Sequence, residues 1–160
     1  MMLLEMGVDV NFADENGQPA LSWASYYGFI KVVRMLLEAG AKVDMSNQFG
    51  ETALHFAAGH GYIKIVRFLL EAGANVDRCN STNALMWATR GGHTEIVQLL
   101  LEAGATVFMV DIYERSALSE AALYNRIEIV WLLLKAGGNI QLVEEHGIRA
   151  LYWAVRNHNP

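Results

Sequence analysis

The chain is poor in cysteine and in charged residues. Only one cysteine, Cys79, occurs among 160 residues, which excludes an internal disulfide framework and a zinc site built from several thiolates. Charged residues make up 18% of the chain and hydrophobic residues 53%, a balance too apolar for intrinsic disorder. The net charge of −5 has the wrong sign for a broad surface that neutralises phosphates, so nucleic acid is not an expected partner.

Long hydrophobic runs are also missing. The longest uncharged stretch, Asn16 to Ile30, is interrupted by polar residues and a proline, so no segment has the length and apolarity to cross a bilayer. The N-terminal apolar run contains Glu5 and no basic residue, unlike a signal peptide. We therefore expect one soluble domain with no membrane partner, located in the cytoplasm, with the nucleus as the alternative location.

Motifs that carry catalysis or bind metals are missing as well. The five histidines have no His-x-x-x-His spacing, and there is no carboxylate dyad, no Gly-x-Ser-x-Gly turn and no phosphate-binding glycine loop. The Gly91-Gly92-His93 segment is interpreted as a break between helices. We therefore expect a protein that is not an enzyme and that uses neither a cofactor nor a metal.

What the sequence does contain is an internal repeat. Glycines that close Glu-Ala-Gly or similar tripeptides are spaced 33, 33, 31 and 33 residues apart, at Gly7, Gly40, Gly73, Gly104 and Gly137. A series of leucines follows the same period, at Leu21, Leu54, Leu85, Leu118 and Leu151. A unit of 33 residues is therefore copied along the chain, with a deletion between Gly73 and Leu85.

Each unit predicts two short helices followed by a polar turn. The first helix has an N-cap residue before its leucine and an alanine three positions after it; the N-cap residues are Thr52, Asn83 and Ser116. A residue that tolerates a left-handed conformation ends this helix, at Gly28, Gly61, Gly92 and Asn125. The second helix is rich in large aliphatic residues and ends at the repeating glycine. No long strand is predicted.

The segment Gly50 to Ala58, followed by Gly61, Ile65-Val66 and Gly73-Ala74-Asn75-Val76-Asp77, resembles a near-consensus ankyrin repeat. The resemblance implies an all-α fold, an ankyrin-repeat α-solenoid in which residues 1–160 form a single domain. We assign repeats to 14–46, 47–79, 80–110 and 111–143, with half-repeats at 1–13 and 144–160. His55 corresponds to the family histidine that orders the turn by hydrogen bonding.

The resemblance also implies a function. Ankyrin repeats bind other proteins in a concave groove formed by the turn tips and the first helices. Carried over by alignment, the candidate partner-binding residues are Gln18, Tyr26, Tyr27, Phe49, Glu51, His60, Arg90, Tyr113, Arg115 and Tyr124. Trp23 and Trp87 are also candidates, because their shared register on the first helix either stacks between repeats or forms the groove floor. Tyrosine, tryptophan and arginine are enriched among interface hot spots. The alternative is that some of these tyrosines only cover a neighbouring turn.

We therefore expect a non-catalytic protein–protein interaction module. The alternative is a regulatory ankyrin segment of a larger enzyme, channel or scaffold protein. Arg90 and Arg115 suggest a mildly basic stretch of the groove, which favours an acidic or phosphorylated peptide, or one with apolar anchors. A monomer is expected. Head-to-tail association is the alternative, because the chain starts and stops within a repeat.

The sequence alone does not explain four departures from the family pattern. Glu120 stands in the register of Trp23, Phe56, Trp87 and Trp153, and is either solvated or bound to a cation on the partner. The apolar turn at Phe108-Met109 is either a docking surface or folded back on the protein. Trp131 either packs on its own neighbours or marks a contact with another chain. The deletion near Cys79 leaves a notch in the groove.

Overall fold

The computed structural model describes residues 9–78, 82–113 and 115–137. Within these ranges the chain forms eight α-helices and no extended strand, as the sequence predicts. The helices are α1 Ala20–Tyr26, α2 Ile30–Glu38, α3 Ala53–Gly59, α4 Ile63–Glu71, α5 Ala84–Gly91, α6 Thr94–Glu102, α7 Ala117–Leu123 and α8 Ile127–Gly137. Consecutive helices pair, and each pair falls within one of the four assigned repeats.

The pairs stack into two rows of helices. The first helices α1, α3, α5 and α7 contact one another in order, and the second helices α2, α4, α6 and α8 do the same. The repeating alanines of the first helices are almost fully buried between neighbours, at Ala24, Ala57, Ala88 and Ala121. Because alanine has no side chain beyond Cβ, the backbones of adjacent first helices can approach closely. One continuous apolar core therefore runs along the stack.

The first helices α3, α5 and α7 begin at the predicted N-cap residues, whereas α1 begins after Pro19. Asn83 accepts a hydrogen bond from the Met86 backbone N–H at 3.0 Å, and Ser116 accepts one from the Ser119 N–H at 3.2 Å. These bonds satisfy backbone donors that the helix leaves free. At Thr52 the partner is the ring of His55, whose Nδ1 lies 3.0 Å from the threonine hydroxyl.

The residues predicted to end the first helices adopt the left-handed conformation. Their φ angles are +74° at Gly28, +80° at Gly61, +77° at Gly92 and +54° at Asn125. Glycine pays no steric cost for this conformation, and asparagine tolerates it better than most residues. The turn between the paired helices is therefore the same in every described repeat, although its last copy has no glycine.

Alanine substitution at two glycines with positive φ, Gly61 after a first helix and Gly73 after a second helix, separates backbone strain from crowding. We expect Gly73→Ala to destabilise the fold by about 1 kcal/mol, since its φ is +84° and its Cβ would meet no atom within 4 Å. Gly61→Ala should cost roughly twice as much, because its Cβ would lie 2.6 Å from Cε1 of His93. That ring is also held by the Gly59 carbonyl at 3.0 Å. Urea unfolding midpoints measure the difference, and equal losses would contradict it.

Several sequence predictions fall outside the described residues. They include the N-terminal start of the first half-repeat (1–8), the C-terminal half-repeat (144–160), Cys79 with the notch beside it, and Trp153. In the part of the chain that the structure describes, no helix is long and apolar enough to cross a membrane.

Candidate partner-binding groove

The turn tips in front of the first helices are held by one repeated arrangement. A side-chain Oδ1 accepts hydrogen bonds from the backbone N–H groups two and four residues later, at Asp14, Asn47 and Asp111. An antiparallel bridge closes the same turns, as between Ser46 and Thr52. These bonds fix the backbone of each tip before any partner arrives, so side chains at the tips project from a rigid frame.

Adjacent tips are also joined to each other, and this corrects the exposure expected for one candidate residue. The Asn47 side chain donates to Oε1 of Gln18 at 2.9 Å and to Oε2 of Glu51 at 2.8 Å. Gln18 is consequently only 7% exposed and braces the tips instead of projecting freely. Glu51 is half-buried, whereas Phe49 at the same tip is exposed.

The N-terminal end of the groove is covered by aromatic side chains that touch one another. We call Trp23, Tyr26, Tyr27, Phe29 and His60 the aromatic patch. The ring of Tyr27 stacks between Trp23, at 5.9 Å, and Phe29, at 5.6 Å. Tyr26 stands edge-on to His60 at 4.7 Å between ring centroids. All five side chains are exposed, so the structure brings four of the candidate residues together and adds Phe29.

Trp23 links the aromatic patch to a carboxylate. Its indole Nε1 donates to Oδ2 of Asp14 at 3.0 Å, while the other carboxylate oxygen holds the turn backbone. Hydrogen bonds from the Gln18 backbone and from Trp23 lower the pKa of Asp14 below its usual value. A negative charge therefore lies at the edge of the aromatic surface at neutral pH.

In the middle of the groove, Trp87 fills space left by a glycine. A Cβ built on Gly59 would lie 2.7 Å from Cε3 of Trp87, so the tryptophan ring packs directly on the helix backbone. Its Nε1 donates to Oγ1 of Thr82 at 3.0 Å, and the ring meets Phe56 edge-on at 5.8 Å. Trp87 is half-buried, and one of its faces contributes to the packing between repeats.

Glu120 corrects both alternatives left open by the sequence, because it is neither solvated nor free for a partner. It is 1% exposed and accepts two hydrogen bonds from Arg90, with Nε at 3.1 Å and Nη2 at 2.9 Å. Arg115 Nη1 lies 3.3 Å from the same carboxylate. Glu120 thus takes the aromatic position of the register and replaces ring packing with ion pairing between neighbouring repeats.

The same pairing corrects the expected basic stretch. Arg115 also donates to Oδ2 of the buried Asp111, at 2.6 Å from Nη2. Burial opposes ionisation of Asp111, but the hydrogen bonds from Arg115 and Tyr113 outweigh it and lower its pKa. Two arginines therefore face two carboxylates, and the positive charges of Arg90 and Arg115 are compensated within the protein. The guanidinium of Arg115 also lies over the ring of Tyr113 at 5.0 Å.

The remaining exposed apolar residues lie towards the C-terminal end. Tyr113 and Tyr124 are exposed. At the apolar turn, Met109 is half-buried with its sulfur 3.4 Å from Nδ2 of Asn83, and the ring of Phe108 is half-exposed and faces Gly137 at the end of α8. Trp131 is 69% exposed on α8, in the register that Arg34, Arg67 and Gln98 occupy in the other second helices.

His55 orders its turn as the resemblance implies. Its Nδ1 accepts from the Thr52 backbone N–H at 3.1 Å, and Nε2 therefore carries the proton that it donates to the Thr82 carbonyl at 2.8 Å. This second bond reaches into the next repeat. Burial lowers the pKa of His55 to about 4, against the smaller opposing effect of the Thr82 hydrogen bond. The ring is therefore neutral at physiological pH and acts as a bridge between repeats.

Comparison with known proteins agrees with this architecture. The family model described as ankyrin repeats in three copies matches residues 39–111 and 72–144, and the model of a single ankyrin repeat matches residues 16–48. No curated protein is similar enough to be counted as a relative. In the described ranges, no three His, Cys, Asp or Glu side chains are grouped so that they could hold a metal ion. The matched segments cover most of the chain, and the protein belongs to the ankyrin-repeat family.

Proposed function

We propose that this chain is a non-catalytic module that binds a partner protein or peptide in its groove. Ankyrin repeats are in general protein–protein interaction modules. The observation that carries the proposal for this chain is the aromatic patch. Large rings on the surface of the first repeat contact each other and remain exposed, although burial of each would be favourable. A contiguous apolar surface of this kind is typical of a protein-binding site.

The patch is suited to binding because it is already ordered. Tyr26, the last residue of α1, and Tyr27, its C-cap, follow Trp23 by three and four residues, so the three side chains lie on one side of the helix and contact each other. Aromatic side chains have few rotatable bonds, and mutual packing restricts them further. A partner therefore loses little affinity to the ordering of this surface.

The regulatory segment of a larger protein remains the second candidate function. The same groove serves both functions, since a segment of a longer chain would also act by binding. Comparing the isolated module with its full-length gene product distinguishes the two. If a catalytic or membrane domain of that product changes activity when the groove is mutated, the second function applies.

The groove proposal is tested with a Tyr26→Ala/Tyr27→Ala variant. Each central aromatic residue of an interface contributes about 2 kcal/mol or more, so we expect the double variant to lower the affinity for a partner captured by the wild-type protein at least 100-fold. The matched control is Trp131→Ala, which removes an exposed ring from the second-helix surface and should leave the affinity unchanged. Calorimetric titration measures both.

One outcome of this experiment would contradict the groove proposal. If Trp131→Ala lowers the affinity and the double tyrosine variant does not, the partner binds the outer surface and the groove proposal is wrong. Circular dichroism spectra and urea midpoints check that all three proteins are folded. A change in affinity then reflects lost contacts with the partner and not unfolding. Tyr26 also packs edge-on against Phe56 and His60 of the next repeat, so the double variant should lose some stability, and affinities are compared where all three proteins are fully folded.

A further inference from the structure

The two faces of the described repeats differ in net charge. The first helices and their turn tips carry five acidic residues in the described ranges, namely Asp14, Glu15, Glu51, Asp111 and Glu120. The cations on this face are Arg90 and Arg115, and both are paired with acids. The second helices and the turns that follow them carry the four lysines, Lys31, Lys42, Lys64 and Lys135, together with seven acids, Glu38, Asp44, Glu71, Asp77, Glu95, Glu102 and Glu128. Acids outnumber cations five to two on the groove face, which is therefore acidic overall.

The uncompensated part of this charge lies at the N-terminal end. Asp111 and Glu120 are neutralised by the two arginines, whereas no cation in the described ranges pairs with Asp14, Glu15 or Glu51. Asp14 touches Trp23 directly, and Glu51 is tied to the first tip through Asn47 and Gln18. The excess negative charge thus borders the aromatic patch.

Aromatic rings and carboxylates attract the same kind of side chain. The face of a tryptophan or tyrosine ring carries partial negative charge and binds a guanidinium or ammonium group held above it. The aliphatic stem of arginine or lysine can at the same time pack on a neighbouring ring while its charged end reaches a carboxylate. The patch contains rings of both kinds beside Asp14. An acidic side chain placed there would meet like charge.

The geometry points to a basic partner: a protein segment in which an arginine or lysine, flanked by apolar side chains, lies against Trp23 beside Asp14. The inference rests on the proposed function, since it assigns the chemistry of the ligand to the same groove. It replaces the acidic peptide expected from Arg90 and Arg115, whose charges are satisfied within the protein. The apolar flanking side chains pack on Tyr27 and Phe29.

The inference is tested first by selection from a phage-displayed library of random 12-residue peptides on the immobilised wild-type protein. We expect the selected peptides to be enriched in arginine and lysine next to aromatic or aliphatic residues, and depleted in aspartate and glutamate, relative to the starting library. Selected peptides with no excess of basic residues, or with an excess of acidic ones, overturn the inference.

A second measurement locates the charge. For a selected basic peptide, we expect Asp14→Asn to weaken binding about three- to fivefold and to reduce the salt dependence of the affinity. Asparagine retains the turn through Oδ1, because Asn47 holds the equivalent turn of the next repeat, but its NH2 group cannot accept from Trp23 Nε1 as Oδ2 of Asp14 does. The change in salt dependence, and not the loss of affinity alone, therefore reports the removed charge. The matched control is Glu38→Gln on the second-helix face, where the carboxylate is exposed beside Arg34. An equal effect of both variants overturns the assignment to Asp14.

The failure of this inference can be told apart from failure of the groove proposal. Acidic peptides that lose binding in the Tyr26→Ala/Tyr27→Ala variant overturn the basic partner but support the groove. Peptides that bind that variant as well as the wild type overturn both. Basic peptides that lose binding in the tyrosine variant and weaken with Asp14→Asn support both.

Discussion

Lowering the pH from 7 to 4.5 is expected to reduce the free energy of unfolding by about 2.5 kcal/mol through His55 alone. The pKa of this histidine is about 4 in the folded protein and 6.5 in its ordinary environment. Between these values the unfolded chain binds a proton that the folded chain does not, so stability rises with pH across the window. The contribution is complete above pH 6.5 and is lost as the pH falls towards 4.

Carboxylates do not produce the same effect in this window. The pKa values of Asp14 and Asp111 are lowered from 3.8, so the stability that these groups contribute is fully present above that value. It is lost only as the pH falls through their lower folded pKa values. The structural cause of the histidine effect is specific: protonation of Nδ1 would remove the acceptor for the Thr52 N–H in a buried site.

The measurement is urea unfolding followed by circular dichroism between pH 4.5 and 7.5. We expect His55→Gln to be less stable than the wild type at pH 7 and to lose most of the pH dependence in this range. His60→Gln is the matched control, since His60 lies at the opposite end of the same helix and is exposed. If the His55 variant keeps the slope of the wild type, another group is responsible and the prediction is wrong.

Glu120→Ala is expected to destabilise the fold by about 2 to 3 kcal/mol. The substitution leaves Arg90 and Arg115 facing each other without their shared carboxylate, and it opens a cavity in the register where other repeats carry a large ring. Loss of one partner of a fully buried pair costs roughly 3 to 5 kcal/mol. The expected loss is smaller here because the Arg90 side chain is 35% exposed and water can hydrate it.

Two further variants test how much of this loss is due to the buried charge of Glu120. Glu120→Gln keeps the shape and one hydrogen-bond acceptor, so we expect it to lose less than the alanine variant. Glu38→Ala breaks the exposed pair with Arg34, which is worth about 0 to 1 kcal/mol. Comparable losses for Glu120→Ala and Glu38→Ala would show that the ion pairs around Glu120 contribute no more than a surface salt bridge.

Much of the fold was predictable because it depends on local rules. The spacing of Gly40 and Gly73 gave the repeat length, and the left-handed turn needs a residue such as Gly61 or Asn125 at a fixed place. N-cap residues and helix faces likewise depend on neighbours within a few positions. The grouping of Trp23 with Tyr26 and Tyr27 follows from helical spacing alone. His55 was assigned through the family resemblance, and its hydrogen bonds agree with that role.

The missed features depend on how one repeat is offset against the next. Arg90 and Glu120 are 30 residues apart, less than a full repeat, and their contact requires the tilt between adjacent first helices. The sequence did contain a sign of this ion pair. Glu120 stands in the register that Trp23 and Trp87 occupy in other repeats, and a carboxylate buried at such a position needs a cation from the preceding repeat. The burial of Gln18 arises in the same way, from a bond to a neighbouring tip.

The nearest-neighbour stacking of the helices has a consequence for how the molecule opens. Among the described helices, α3 and α5 each pack against a first helix on either side. Because stability in such a stack comes from contacts between neighbouring repeats, the amides of α3 and α5 should be among the last to exchange with solvent. The contact between Tyr26 and His60 joins the first repeat to the second, so a ligand bound across these two rings would slow amide exchange in both repeats at once.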